Sequence, residues 1–212
     1  TFNDRQVDGT APYKLARIGM VRTFQLTKAL SRMTVIDNMR LGAKHQTGER
    51  CFAAIFPFLW NSQDKSVGEK AMGLLERFNL HEKIGDFAGS LSGGQRKLLE
   101  MARALMADPE LIMLDEPMAG VNPALKQSLL GHIKTMREEG TTVLFVEHDM
   151  DMVHDISDWV IVMAQGEVIA EGPPDAVMKD QAVLDAYLGA HHEAQLTETG
   201  ESLTESSDGD SA

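Results

Sequence analysis

Four apolar residues, Leu111 to Leu114, run directly into two carboxylates, Asp115 and Glu116, and then Pro117. A short apolar run bounded by turn residues reads as a β-strand. The pattern that follows constrains the fold more than any other part of the chain. Asn122 and Pro123 suit the cap and first position of a helix. Leu125, Leu129, Ile133 and Met136 then fall on one helical stripe that stops near Gly140. Thr142 to Val146 (TVLFV) is the next strand, and Asp149 caps a short helix reaching Ile156. Trp159 to Met163 and Glu167 to Glu171 read as two more strands around a turn at Gln165-Gly166. Strands alternating with helices predict an α/β fold with a mainly parallel sheet covered by helices.

The first half is different. Ile18 to Phe24 reads as a short strand entering a loop at Gln25, and Thr34 to Leu41 as a helix capped by Thr34 with Asp37. Ser66 to Phe78 reads as a helix opened by a Ser66–Glu69 capping box, with Val67, Ala71, Leu74, Leu75 and Phe78 on one face. Between them, Gly42 to Lys65 is irregular and holds Phe52, Phe56, Phe58 and Trp60. The stretch from Thr27 to Met106 is expected to form a separate helical lobe.

With 32 acidic and 20 basic residues, the formal net charge is −12, which argues against nucleic acid as the main partner. Half of that charge lies in His191 to Ala212, which has six acids and no Lys or Arg. This tail is Ser/Thr/Gly-rich and lacks apolar periodicity, so it is expected to be a disordered, solubilising segment. One cysteine, Cys51, allows no internal disulfide and fits a reducing compartment. No apolar run approaches the length of a membrane span, and no secretory signal opens the sequence.

Open α/β sheets bind ligands beyond the carboxyl ends of their strands. Asp115 and Glu116 follow one strand, His148 lies two residues past another, and Gln25 follows a third, so all should share one sheet edge. A carboxylate for a divalent cation, a second to position water and neutral donors for developing charge are what phosphoryl transfer requires. Taken singly, Asp115-Glu116 reads as an acidic turn and His148 as a packed or surface histidine, and Gln25 alone carries almost no information. LSGGQ, at Leu91 to Gln95, is more telling. Ser92 and Gln95 fit a capping box, with Leu98, Met101, Ala102 and Leu105 on the apolar face behind it. Capping does not call for Gly93 and Gly94, which cost about 1 kcal/mol each relative to alanine. They make sense where bare backbone N–H groups approach an anion at a helix N-terminus.

The order Gln25, LSGGQ, LIMLDEP and EHD resembles the ATP-binding subunit of ABC transporters over nearly the whole chain except the acidic tail. LSGGQ is similar to the family signature, Leu111 to Pro117 to Walker B, Gln25 to the Q-loop and His148 to the switch histidine. RTFQ (Arg22 to Gln25), MTVIDN, AGVNP (Ala119 to Pro123), VEHDMDMV and AYLG (Ala186 to Gly189) resemble the branched-chain amino acid importers in particular. Importers of urea and related amides, or of other amino acids, are close relatives.

That resemblance implies a P-loop NTPase core with a helical subdomain, ATP and Mg2+ as cofactors, and ATP hydrolysis coupled to transport. It implies Glu116 as the catalytic carboxylate that orients water, Asp115 as the Mg2+ ligand, and Gln25 as a sensor of γ-phosphate and Mg2+. His148 would contact the γ-phosphate. Ser92, Gly93, Gly94 and Gln95 would close in trans over ATP held by a second ATPase subunit, with Asn122 in the D-loop. The division implied is 1–26 (core up to the Q-loop), 27–106 (helical subdomain), 107–190 (core with Walker B, D-loop and switch histidine) and 191–212 (tail). Partners implied are permease subunits at the cytoplasmic face of the membrane and, indirectly, a solute-binding protein. The segment from Gln25 through the aromatic cluster would receive the permease, although core packing of those aromatics explains them equally well.

One departure stands out. The sequence has no G-x-x-x-x-G-K-S/T phosphate loop and no Gly-Lys pair. The expectation is that the loop precedes Thr1, in a complete ATPase, and that residues 1–212 alone bind ATP poorly and are inactive. A non-catalytic ABC-like protein that only donates a signature helix is the alternative. A DNA-repair or translation ATPase would carry coiled-coil insertions or tandem copies, and neither is present.

Overall fold

A computed structural model describes residues 1–23, 30–44 and 61–186, the first two residues of the helix beginning at Asn61 by backbone alone. Gln25, the aromatic cluster at 52–60 and the acidic tail lie outside the described residues. The chain forms two compact units, Thr1–Glu147 and His148–Ala212.

The first unit holds a parallel three-stranded sheet in the order β1 (Met20–Arg22), β2 (Leu111–Asp115) and β3 (Thr142–Val146). Met20 pairs with Leu111 and Arg22 with Met113, while Leu111 pairs with Thr142 and Asp115 with Val146. β2 is therefore central, and its Ile112 and Leu114 are almost wholly buried. β1 is shorter than the strand expected from Ile18: Ile18 is the C-cap of α1 (Pro12–Arg17), and Gly19 turns at φ +101° before the strand begins. α1 buries no residue, so it leaves no apolar stripe in the sequence. One side of β3 is open, with Leu144 50% and Val146 60% exposed.

The helical part is built on α2 (Val35–Arg40), α3 (Asn61–Arg77) and α4 (Gly93–Leu105). Thr34 caps α2, accepting from the Asp37 N–H at 3.2 Å, as its spacing predicts. α3 corrects an expectation. It starts at Asn61, so Ser66 lies inside it, and the Ser66 hydroxyl donates back to the Gln63 carbonyl at 2.9 Å instead of capping. The predicted face holds: Ala71, Leu75 and Phe78 are fully buried, and Val67 and Leu74 are half-buried. α2 and α4 meet at Gly42, where a Cβ would overlap the Arg103 carbonyl oxygen and come to 3.0 Å from Met106 Cβ.

Asn38 is fully buried in this part. Its Oδ1 accepts from the Leu30 N–H at 2.9 Å, and its Nδ2 donates to the carbonyls of Leu30 (3.2 Å), Met33 (3.4 Å) and Thr34 (2.9 Å). One buried amide thus ties down the backbone of residues 30–34, and each polar atom it buries is satisfied.

α5 (Pro123–Glu138) follows its expected pattern, with Asn122 accepting from the Leu125 N–H at 2.9 Å and Leu129, Ile133 and Met136 buried. It is joined to α3 by Arg77, which donates to both carboxylate oxygens of Glu139 (3.1 and 2.9 Å), and by Phe78 stacked on His132 at 4.1 Å.

The second unit holds α6 (Met150–Ile156), capped by Asp149, and an antiparallel hairpin of β4 (Val160–Ala164) and β5 (Glu167–Gly172). The turn falls at Gln165 and Gly166, both with positive φ (+51° and +88°), the backbone that a tight hairpin needs. α7 (Pro174–Val177) follows, and His154 of α6 pairs with its Asp175 at 3.1 Å.

Candidate functional site

β2 ends at Asp115, and Glu116 follows with φ +43°. The left-handed region is costly for a residue with a Cβ, on the order of 1–3 kcal/mol, and such strain gathers at functional sites. Among the described residues, the other non-glycine positions with positive φ are Asn, Asp or Gln, and Glu116 is the one glutamate. Its conformation is enforced from the neighbouring strand: the Glu116 N–H donates to the Val146 carbonyl at 3.0 Å. The Met118 N–H then donates to Glu147 Oε1 at 2.9 Å. The end of β3 therefore braces the turn that follows the carboxylate pair.

Asp115 Oδ2 accepts from Arg22 Nη2 at 3.0 Å, so the last residues of β1 and β2 form an ion pair across the sheet edge. The Asp115 carboxylate thus faces a cation. Mg2+ takes one or two carboxylates together with phosphate oxygens and water, and the hard oxygen donors of Asp115 and Glu116 fit that set. Among the described residues no three metal-ligating side chains converge.

The signature segment takes its expected form. Ser92 accepts from the Gln95 N–H at 3.2 Å, and Gln95 Oε1 accepts from the Ser92 N–H at 3.0 Å. Leu98, Met101, Ala102 and Leu105 are buried on α4. The two glycines differ. A Cβ on Gly93 would meet nothing within 4 Å, whereas one on Gly94 would overlap Leu125 Cδ2. Gly93 stays bare with no neighbour to demand it, and Gly94 is held bare by α5. The sequence offered a single reason for both.

Lys97 was not read from the sequence. Its Nζ donates to the carbonyl oxygens of Pro117 (3.3 Å) and Ala119, in the turn behind Glu116. Burial lowers its pKa from the ordinary lysine value, against the opposing pull of Glu147, Glu100 and Glu116. Glu147 was missed as a brace for the same reason: both residues act on backbone atoms far away in sequence. Ser92 to Gln95, Asp115, Glu116 and Asn122 all belong to the first unit. His148 opens the second unit and is exposed there, directly before the Asp149 cap.

Residues 1–119 match the family model described as ABC transporter, and residues 167–193 match the one described as branched-chain amino acid ATP-binding cassette transporter. The chain belongs to the ABC transporter ATP-binding family and is a transport-coupled ATPase subunit. It is 40% identical over 189 residues to the probable branched-chain amino acid transport ATP-binding protein LivG of Archaeoglobus fulgidus, covering 89% of this chain and 73% of that protein. It is 37% identical over 190 residues to the high-affinity branched-chain amino acid transport ATP-binding protein BraF of Pseudomonas aeruginosa, covering 89% and 74%. A nucleotide-free ATP-binding cassette from an ABC transporter superposes with a TM-score of 0.70 at 36% identity, over 86% of this chain and 74% of that one. The fold is thus that of an ABC ATP-binding cassette, the α/β architecture the sequence predicts.

Proposed function

We propose that this subunit hydrolyses ATP to drive import of branched-chain amino acids, and that Glu116 is the carboxylate that orients the attacking water. The observation that carries the site assignment is the left-handed backbone of Glu116, held at the carboxyl end of the central strand by Val146. A strained glutamate beyond a buried parallel strand lies where ligands of open α/β sheets bind. The names of the relatives carry the choice of solute.

Asp115 is the residue to hold Mg2+, which when bound with ATP neutralises charge on the phosphates. Glu116 accepts a hydrogen bond from water and so aims its oxygen at the γ-phosphorus. Gln25 and His148 meet the γ-phosphate end of the nucleotide. Ser92 donates its hydroxyl, and Gly93 and Gly94 their backbone N–H groups, to ATP bound by a second ATPase subunit. At the first helical positions these N–H groups have no partner within the helix. Gln95 and Asn122 complete that interface.

In this reading the division is 1–26, 27–106, 107–190 and 191–212, as the resemblance implies. Two ATPase subunits meet about a two-fold, peripheral to the cytoplasmic face of the membrane, beneath permease subunits fed by a solute-binding protein. Among the described residues no helix is long and apolar enough to cross a membrane. ATP-dependent uptake of labelled leucine by the reconstituted transporter tests the proposal. Uptake should be competed by isoleucine and valine and abolished by Glu116→Gln. Uptake competed by urea and not by valine would contradict the solute assignment.

A further inference from the structure

The signature turn and the turn behind Glu116 are joined within one chain by two independent contacts. Lys97, one helical turn past the glycines, donates to the carbonyls of Pro117 and Ala119. Leu125 lies on Gly94, and its own backbone N–H is held by the Asn122 side chain at 2.9 Å. Leu125 therefore ties the cap of α5 to the first turn of α4. An added Cβ at Gly94 would overlap Leu125 Cδ2 and stand 3.5 Å from its Cγ. Cδ2 is the far end of a flexible side chain, so a methyl there would evict Leu125 before it moved any backbone.

We propose that Lys97 and Leu125 are positioning residues that lock the signature turn to the loop behind Glu116, and that Gly94 lacks a side chain to seat Leu125. The inference rests on the proposed function. Its consequence is that the signature turn, which serves the partner's ATP, takes its position from the loop behind the carboxylate that serves its own. Gly93, with open space around its Cα, is the glycine left bare toward the nucleotide.

The test is a mutant cycle on the ATPase activity of the assembled transporter, with thermal midpoints measured in parallel. Gly94→Ala and Leu125→Ala should each lower kcat by roughly tenfold, and the double variant should stay within about threefold of Leu125→Ala alone, because both changes remove the same contact. A double variant whose loss is the product of the two single losses would show independent roles and would overturn the proposal. Leu125→Ala near the wild-type rate, with a double variant as slow as Gly94→Ala, would show that the nucleotide demands the bare backbone, and would likewise overturn it. Lys97→Met should lower kcat, while Lys97→Arg, a cationic donor long enough to reach both carbonyls, should keep most of it. Equal loss in both would overturn the role of Lys97. Glu116→Gln separates the two levels: rapid turnover there defeats the proposed function, whereas independent losses in the Gly94 and Leu125 variants with an inactive Glu116→Gln defeat only the locking.

Discussion

Glu147 Oε1 accepts the backbone N–H of Met118 at 2.9 Å, so the residue next to His148 in the chain holds the turn behind Glu116. Removing one partner from a hydrogen bond to a charged group exposes the other to the full cost of desolvation, about 1–3 kcal/mol. Glu147→Ala is therefore expected to lower turnover by loosening that turn, and Glu147→Gln, which keeps an acceptor oxygen, to retain most of it. Steady-state ATPase measurements on both variants decide this; equal rates in both would remove Glu147 from the account.

Asn38 is the corresponding device on the helical side. Asn38→Ala strips one acceptor from the Leu30 N–H and one donor from three carbonyls in a fully buried place. A loss of about 2–3 kcal/mol in unfolding free energy is expected, read from urea denaturation. A loss below about 0.5 kcal/mol, the range of ordinary surface changes, would mean that the segment is held elsewhere.

The α3–α5 contact carries a pH dependence. Burial first, and then the Arg77 guanidinium, lower the pKa of His132 from its ordinary value of 6.5. The folded chain thus binds this proton less readily than the unfolded chain. The stability supplied by the neutral ring is complete above the unfolded pKa and is lost as pH falls through the lowered folded value. His132→Phe keeps a ring against Phe78 and cannot titrate, so its stability should fall less than that of the wild type as pH drops below about 6.5. Parallel slopes for the two proteins in urea titrations would refute this.

Much of the fold was legible because its signals are local. β2 is an unbroken apolar run, α5 begins with Asn122-Pro123, and the hairpin turns at Gln165-Gly166. Ser92, Asn122, Asp149 and Thr34 all cap the helices expected of them. Ser66 misled because Ser-x-x-Glu also occurs within a helix already under way, where the hydroxyl bonds back to the preceding turn. At α1 the signals were a Pro12 at the first position and nothing more, since the helix buries no side chain. At the candidate site, the strand end at Asp115 and the capped LSGGQ turn could be read from residue type and spacing. Lys97 and Glu147 could not, because each acts on backbone atoms of a turn distant in sequence, and Asn38, which binds the backbone just before its own helix, leaves no periodic trace either. The close approach of Leu125 explains Gly94 by packing, a cause that no pattern within LSGGQ reveals.

The central claim is that Glu116 orients the water that attacks ATP. Glu116→Gln keeps the size of the side chain and an acceptor oxygen but removes the carboxylate charge. In the assembled transporter its kcat for ATP should fall by about 10²-fold or more, the range expected for a lost catalytic acid–base group, while ATP affinity stays close to that of the wild type. Turnover near the wild-type rate in this variant would contradict the account.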